Sequence, residues 1–297
     1  MSLTTHLPSN GLPQLFRIGV KPLGDDQWID VDDKLALYLD EKDRLAKERF
    51  DDIFVAEPGT EAAQAEVLAR LVENLEEKFP ESYRRNGPVL DILSTKRRIA
   101  LEDQTSPPLW IAASLVQEDL VLLRKGESGW RLAAAALCFP SSWRLAEKFG
   151  RTIHEIHAPV PGFGAQTRNA TIIGRMFDNL RPETPMIRWN WSLYGDDELF
   201  HPNESDAYRF GKGARAENVF VRAERQVLTR LRTSGDILFT IRIYIDPLDA
   251  LEKQPEAVQI AQDLIDQLHE LDDAQLAYKG LTEEKAQLLV RLGELVS

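Results

Sequence analysis

Residues 236–245 read Asp-Ile-Leu-Phe-Thr-Ile-Arg-Ile-Tyr-Ile, and this stretch decides the fold. Its odd-numbered positions form an apolar series: Ile237, Phe239, Ile241, Ile243 and Ile245. Successive side chains of a strand point to opposite faces of a sheet, so this series forms one apolar row on a single face. The stretch is therefore predicted to be a β-strand that lies against a hydrophobic core.

Neighbouring segments extend this strand into hairpins. Residues 219–228 are also strand-like and precede it across the turn-forming residues 232–235. Upstream, the segments 119–125 and 130–139 repeat the arrangement across a short loop that contains two glycines. Two β-hairpins are therefore predicted, separated by helical turns and a long proline-containing irregular stretch.

Helical periodicity is found on both sides of the hairpins. Apolar residues recur at helical spacing in four segments, which are 32–50, 61–78, 260–271 and 288–295. The order of helices, hairpin, helical insert, hairpin and helices predicts an α+β fold, in which N-terminal and C-terminal helices flank an antiparallel sheet.

The length is compatible with one large domain or two modest ones, and we expect a single domain over residues 1–297. Within it we distinguish an N-terminal helical region (1–90), a sheet-containing core (91–246) and the C-terminal helices (247–297).

The charge balance excludes a general nucleic-acid-binding role. The chain has 36 basic and 48 acidic side chains, a formal net charge of −12, whereas binding to a polyphosphate requires a basic surface. Residues 101–245 contribute 18 basic and 17 acidic side chains (+1), but residues 246–297 contribute 4 and 12 (−8). Fifteen of the 18 cations in the central part are arginines, which favour recognition of carboxylates or phosphates.

The single cysteine, Cys138, excludes an intramolecular disulfide and a four-thiolate zinc or iron–sulfur site, as is typical of a reducing compartment. Met1–His6 lacks the basic and apolar parts of a secretion signal. The longest apolar run, Leu132–Phe139, is too short to span a bilayer. We therefore expect a cytoplasmic protein without a membrane-spanning segment.

The densest group of chemically interesting residues follows the first hairpin. Ser141 is predicted to be the N-cap of a short helix, and Gly150 stands where its C-terminus needs a left-handed residue. Thr152 and Glu155 then have capping-box spacing for a second short helix. Pro159 closes that helix around His157.

Two of the five histidines, His154 and His157, lie one turn apart on this second helix. A zinc site is one interpretation, although the HxxH spacing differs from the HExxH spacing of zinc peptidases. A structural role at a helix C-terminus is a second. A haem ligand is the third, which requires a neutral imidazole on a rigid element next to an apolar cavity.

Four segments together resemble the haem-dependent oxidative N-demethylase family. They are Phe139–Phe163, Arg188-Trp189-Asn190-Trp191, Phe220–Leu228 and Gly235–Tyr244, in this order. The pattern of residues 12–90 also matches the opening helices of the family, so the resemblance covers most of the chain. It implies a PAS-like haem-binding core, in agreement with the predicted helix-flanked antiparallel sheet.

The resemblance further implies the reaction and its components. A small secondary amine, such as dimethylamine, would be oxidatively demethylated by dioxygen at haem b, with release of formaldehyde. This is the activity of a haem-iron monooxygenase. Electrons would come from a separate reductase that carries flavin and an iron–sulfur cluster, in a hetero-oligomer. The lone cysteine agrees with this expectation, because the sequence supplies no thiolate-ligated cluster of its own.

The resemblance also directs attention to particular residues. His157 is the expected axial iron ligand, and His154 is the alternative. Among the polar residues of 220–228, Arg222 and Glu224 share one strand face and Arg225 points to the other. A buried arginine there would pair with a haem propionate, and Glu224 would bind a protonated amine; an exposed face with ordinary cross-strand ion pairs is the alternative.

Trp189, Asn190 and Trp191 would wall the cofactor cavity, although paired tryptophans are more often core residues. Two other functions are also compatible with the sequence. One is a non-catalytic haem or small-molecule sensor, because a PAS-like pocket suits ligand sensing as well as chemistry. The other is a scaffold subunit without haem, whose acidic C-terminal segment docks to a basic partner.

Overall fold

The computed structural model of the protein describes residues 13–25, 27–203, 208–251 and 253–296. The segment Met1–His6, on which the expected lack of a secretion signal depends, lies outside these residues. None of the helices in the described ranges combines the length and the apolar character needed to cross a bilayer.

The strands in the described part of the chain are Lys21–Pro22 (β1), Phe54–Ala56 (β2), Tyr83–Asn86 (β3), Val89–Ile92 (β4), Arg97–Ala100 (β5), Asp119–Gly126 (β6), Gly129–Ala136 (β7), Met186–Tyr194 (β8), Phe220–Arg230 (β9) and Ile237–Pro247 (β10). The helices are Leu35–Ile53 (α1), Glu61–Lys78 (α2), Pro108–Ala113 (α3), Leu145–Lys148 (α4), Ile153–His157 (α5), Arg168–Asn179 (α6), Leu248–Leu251 (α7), Ala257–Glu270 (α8), Asp273–Tyr278 (α9) and Lys285–Val296 (α10).

Seven strands form the main sheet in the order β1-β8-β9-β10-β6-β7-β2, and all neighbouring pairs are antiparallel. The two predicted hairpins are confirmed as β6–β7 and β9–β10. Strand β10 is the central strand, since Ile241 pairs with Gln226 of β9 on one side and with Asp119 of β6 on the other. The predicted α+β class, an antiparallel sheet with flanking helices, is confirmed.

The apolar row of β10 lies against a hydrophobic core, as predicted, and the structure shows further cores on the other side of the strand. Its isoleucine row faces one core together with Ile153 of α5 and Ile173 of α6. We call this side of the sheet the α5 face. Leu238 and Tyr244 point to the other side, where helices α1, α2 and α3 cover one end of the sheet and helices α8 and α10 cover the other. We call it the opposite face.

Three local expectations differ from the structure. Strand β8 lies in the stretch predicted to be irregular, because nearby prolines obscure the alternation of Ile187, Trp189, Trp191 and Leu193. Strands β3, β4 and β5 form a separate three-stranded sheet that was not predicted. Ser141 does not cap a helix, since α4 begins four residues later, after Arg144. The capping box of Thr152 and Glu155 and the positive φ of Gly150 are confirmed.

A buried lysine connects α1 with the chain that enters β6. Lys42 is 1% exposed, and its Nζ donates hydrogen bonds to the carbonyl oxygens of Ala113 (3.0 Å), Val116 (2.9 Å) and Glu118 (2.6 Å). Burial is also the main reason why the pKa of Lys42 is lowered. These three hydrogen bonds fix the start of β6 against α1, because each carbonyl would otherwise be buried without a donor.

Replacement of this lysine tests the connection. Lys42→Met fills a similar volume but leaves three buried carbonyl oxygens without a donor, so we expect a loss of about 2–4 kcal/mol in the free energy of unfolding. Urea denaturation measures it. Lys47→Met, on the exposed side of the same helix, is the matched control and should change stability by less than about 0.5 kcal/mol. Equal effects of the two variants would contradict this role of Lys42.

Candidate active site

Helix α5 holds the two histidines in a fixed position above the sheet. The side chain of Thr152 accepts a hydrogen bond from the Glu155 amide, and the Glu155 carboxylate accepts one from the Thr152 amide at 2.8 Å. Ile153 is buried in the core on the α5 face. A five-residue helix has little stability by itself, so this reciprocal cap and the buried anchor determine its place.

His157 lies in a half-buried, electropositive environment on the α5 face. Its ring centroid is 6.2 Å from that of Phe163. Burial lowers the pKa of His157 to about 4, and the positive charges of Arg188 and Lys148 act in the same direction. The imidazole is therefore neutral at physiological pH, which is the form that ligates a metal. Neither ring nitrogen has a hydrogen-bond partner within the described ranges.

His154 lines a cavity of about 330 Å³ together with residues of α6 and of the loop before it, namely Ala165, Gln166, Ala170, Thr171 and Gly174. Gly174 lies directly against the imidazole, since a Cβ at this position would be 3.9 Å from Cε1 and Nε2 of His154. The volume is at the lower end of the range for small-molecule pockets. The two histidines thus have different surroundings, although they are one helical turn apart.

A cluster of polar side chains lies on β8 and β9, on the same face of the sheet as the histidine helix. Glu224 is 7% exposed, and its carboxylate accepts hydrogen bonds from Ser141 Oγ (2.6 Å), Gln226 Nε2 (2.6 Å) and Asn190 Nδ2 (3.5 Å). All three donors are neutral. A carboxylate has about four acceptor positions, so one remains available on Oε1. Glu224 is therefore a buried anion that can accept a further hydrogen bond from a cation.

Arg222 fastens two loops to β9. It is 1% exposed, and its guanidinium donates to Ser141 Oγ and to four backbone carbonyl oxygens, those of Phe139, Pro140, Glu198 and Leu199, at 2.8–3.3 Å. Ser141 thus links Arg222 to Glu224. The arginine fixes the chain that leaves β7 and leads to α4 and α5. All of these hydrogen bonds are made to other groups of the protein.

The same loop carries a strained residue. Ser142 has a φ of +62°, which is uncommon for a residue other than glycine, and its Oγ lies 2.9 Å from the Tyr194 hydroxyl. Its amide donates to the carbonyl oxygen of His201 at 2.8 Å. Such conformations persist only where the surroundings enforce them. Here the contacts of Ser141 and Ser142 on both sides of the peptide enforce it.

Arg188 and Lys279 add positive charge to this face. Arg188 Nη1 donates to Gln226 Oε1 at 2.9 Å, and the Lys279 Nζ donates to the carbonyl oxygen of Trp191 (2.8 Å) and to Ser192 Oγ (3.0 Å). Burial lowers the pKa of Arg188 and lowers that of Lys279 to about 8, while the charge of Glu224 opposes both shifts. We call Arg188, Asn190, Glu224, Gln226 and Lys279 the polar compartment.

The structure does not bring Arg225 and Trp189 together with the histidines. Both point to the opposite face, where Arg225 donates to the carbonyl oxygens of Gln27 and Trp28. Trp189 stacks on Tyr244 there, with ring centroids 5.8 Å apart. Asn190, in contrast, lies on the α5 face next to Glu224. Trp189 and Asn190 therefore cannot wall one cavity, because strand alternation separates them.

Sequence reasoning missed Arg188, Lys279 and the role of Ser141. The alternation of β8 was the available signal for Arg188, since it puts Arg188 and Asn190 on one face and both tryptophans on the other. Lys279 follows the short helix α9, and nothing in its local sequence points to β8. The sequence predicts a helix cap at Ser141, whereas its hydroxyl donates a hydrogen bond to Glu224, which is 83 positions away.

The residues on the α5 face fit a haem with one protein ligand. The neutral, unpartnered imidazole of His157 suits an iron ligand, and apolar neighbours such as Phe163 suit a macrocycle. The buried Nε of Arg188 has no hydrogen-bond partner in the described residues and suits a carboxylate of the cofactor. No three His, Cys, Asp or Glu side chains of the described ranges come together as a metal-ion site.

The environment of His157 predicts a pH dependence of the haem-free protein. An imidazole whose pKa is about 4 in the folded protein and 6.5 in its ordinary state contributes stability above pH 6.5. This stability is lost as the pH falls towards 4, because the unfolded chain binds the proton more tightly. For a half-buried group we expect a loss of about 2 kcal/mol over this range.

Urea denaturation of the haem-free protein between pH 4 and 7 measures this effect. The His157→Gln variant should have a flatter stability profile by that amount, since it has no titrating imidazole at this position. Profiles of equal slope for the two proteins would show that His157 titrates in its ordinary range.

A comparison with known protein families identifies one family that covers most of the chain. A model described as haem-dependent oxidative N-demethylase, alpha subunit-like, matches residues 19–289, which include helix α5, strand β8 and both strands β9 and β10. With a match over nearly the whole of its length, the chain belongs to the family of alpha subunit-like haem-dependent oxidative N-demethylases.

Proposed function

We propose that this protein is the haem-binding subunit of an oxidative N-demethylase, in which haem b bound by His157 oxidises a small secondary amine such as dimethylamine. The observation that carries the proposal is the position of a neutral, unpartnered imidazole above a polar compartment that contains a buried carboxylate. The family membership supports the same function.

His157 is proposed as the axial ligand of the iron. Its lowered pKa means that no proton competes with the metal at neutral pH. The reciprocal cap of α5 and the loop held by Arg222 keep the imidazole in place, as a rigid ligand requires. His154 is the alternative ligand, because it faces the cavity beside α6.

Glu224 is proposed to bind the protonated amine. A secondary ammonium ion has two N–H donors, and the open acceptor position on Oε1 can take one of them in a charge-assisted hydrogen bond. Ser141, Asn190 and Gln226 orient the carboxylate without neutralising it. The ligand therefore meets an anion that is already desolvated and fixed, which lowers the cost of binding.

A bound haem would supply the activation of dioxygen, with two electrons from the proposed reductase, that the oxidation of the carbon next to the amine nitrogen requires. The protein's part is to hold the amine so that this carbon is exposed to the cofactor and to exclude bulk water from the compartment. The hydroxylated amine then breaks down to formaldehyde and a smaller amine.

Electrons are proposed to come from a separate reductase that carries flavin and an iron–sulfur cluster. The sequence holds one cysteine, and it is buried beside β6, where burial raises the pKa of its thiol. A thiolate-ligated cluster therefore has no ligand set in this chain. The family description as alpha subunit-like supports an assembly with a further subunit, and we propose that the assembly works in the cytoplasm.

We also propose that the haem-binding core is PAS-like. Its five strands follow one another across the sheet as β7, β6, β10, β9 and β8, that is, second, first, fifth, fourth and third in chain order. Helices α4, α5 and α6 connect the second of these strands to the third. The strand order and the place of the helices support this proposal.

An absorption spectrum of the protein expressed with a haem supply tests the ligand assignment. The wild-type protein should show a Soret band, and His157→Ala should lose most of the bound haem because the axial bond is gone. His154→Ala is the matched control on the same helix and should retain the band. Loss of the band in His154→Ala alone would move the assignment to His154, and a colourless wild-type protein would contradict haem binding.

Amine oxidation is tested by dioxygen consumption and formaldehyde release with an electron donor. Glu224→Gln removes the charge but keeps the size, so we expect the KM for dimethylamine to rise about 10- to 100-fold. The exposed Glu217→Gln is the control. Unchanged KM values would contradict amine binding by Glu224. A haem-bound protein that oxidises no amine would contradict the proposed activity and favour the sensor interpretation.

A further inference from the structure

The arginines on the α5 face differ in how far their donors are satisfied. We infer that Arg188 of β8 binds a carboxylate of the bound ligand, namely a haem propionate. This rests on the proposed function, in that the ligand is haem, and it assigns to Arg188 the role that the sequence led us to expect of another arginine.

Arg222 has little free capacity for such a contact. Its guanidinium already donates to Ser141 Oγ and to four backbone carbonyl oxygens, and it is 1% exposed. A propionate at this position would have to displace hydrogen bonds that hold the loops on both sides of β9. Those carbonyls would then be buried without donors, which is costly.

Arg188 is in the opposite situation. Among the described residues only Nη1 has a hydrogen-bond acceptor, the neutral Oε1 of Gln226 at 2.9 Å, and the buried Nε has none. A guanidinium has five N–H donors, and burying them without acceptors is unfavourable. Burial accordingly lowers the pKa of Arg188. A carboxylate that accepts from Nε would satisfy this donor.

The position of Arg188 agrees with a ligand that also reaches His157. Arg188 shares a strand face with Asn190, two residues further along β8, and Asn190 hydrogen-bonds Glu224, to which Ser141 of the chain leading to α5 also donates. The arginine and the histidine helix thus lie on the same face of the sheet. An arginine next to an axial histidine suits a macrocycle that carries its carboxylates on its edge.

The charge of the polar compartment also favours an anionic ligand group. Arg188 and Lys279 are cations, whereas Glu224 is the anion that faces both of them. Glu224 directs its hydrogen bonds to the neutral groups of Ser141, Gln226 and Asn190 and forms no ion pair with Arg188 in the described ranges. The compartment therefore has a positive excess that a propionate would compensate.

The test compares haemin with haemin dimethyl ester, in which both propionates are neutral. Apo wild-type protein, Arg188→Gln and the control Arg232→Gln are titrated with each, and the Soret absorbance gives the dissociation constants. Arg232 lies in the loop after β9, where both it and its ion-pair partner Glu183 are exposed. The melting temperature of each haem-free protein is measured as well.

We expect wild-type protein and Arg232→Gln to bind haemin at least 10-fold more tightly than the ester, and Arg188→Gln to bind haemin about 10- to 100-fold more weakly than wild type. Its preference for haemin over the ester should fall about 10-fold. Because an unsatisfied donor is removed, the haem-free variant should melt no lower than wild type, an effect that a purely structural arginine would not show.

The inference is overturned if Arg188→Gln keeps the wild-type preference for haemin over the ester, or if its haem-free form unfolds at a clearly lower temperature and Arg188→Lys does not restore the preference. Wild-type protein that binds neither compound would contradict the proposed function together with the inference. Equal binding of both compounds by wild-type protein would contradict the inference alone.

Discussion

The hydrogen bonds of Arg222 are the interaction on which the rest of the site depends. This buried guanidinium holds the loop after β7 and the loop around Leu199 against the first part of β9. The first loop leads through α4 to helix α5, so the arginine fixes the point from which the histidines are placed. Breaking a buried network of this kind costs about 3–5 kcal/mol, comparable to a large part of the stability of a domain. Its link through Ser141 also orients Glu224.

The two faces of the main sheet have different roles: one carries the candidate site and the other packs against helices. On the α5 face, the polar compartment interrupts an otherwise apolar surface beside the isoleucine row of β10. On the opposite face, tryptophan and tyrosine side chains of β8 and β10 pack against the C-terminal helices, and Arg225 is hydrogen-bonded to the N-terminal chain. The same strands thus provide chemistry on one side and a rigid backing on the other. A ligand on the α5 face would meet side chains of β8 and β9, whose backbones are fixed by their mutual pairing.

Sequence reasoning reached the features that depend on local signals. The alternation in residues 236–245 and the capping residues Thr152 and Glu155 act within a few positions, so the central strand and the histidine helix are predictable. Arg188 and Lys279 are not predictable in this way, because their roles depend on which strands pair and which helix end reaches β8. The opposing directions of Trp189 and Asn190 follow only once β8 is known to be a strand. Long-range pairing, rather than composition, decides these cases.

The central claim is that a haem lies on the α5 face with its iron bound by His157. Anomalous diffraction at the iron edge, from crystals of the haem-loaded protein, tests it most directly. We predict a single iron peak at bonding distance, about 2 Å, from a ring nitrogen of His157, with the macrocycle on the side of β8 that carries Arg188 and Asn190. An iron peak on the opposite face, beside Trp189 and Arg225, would contradict it.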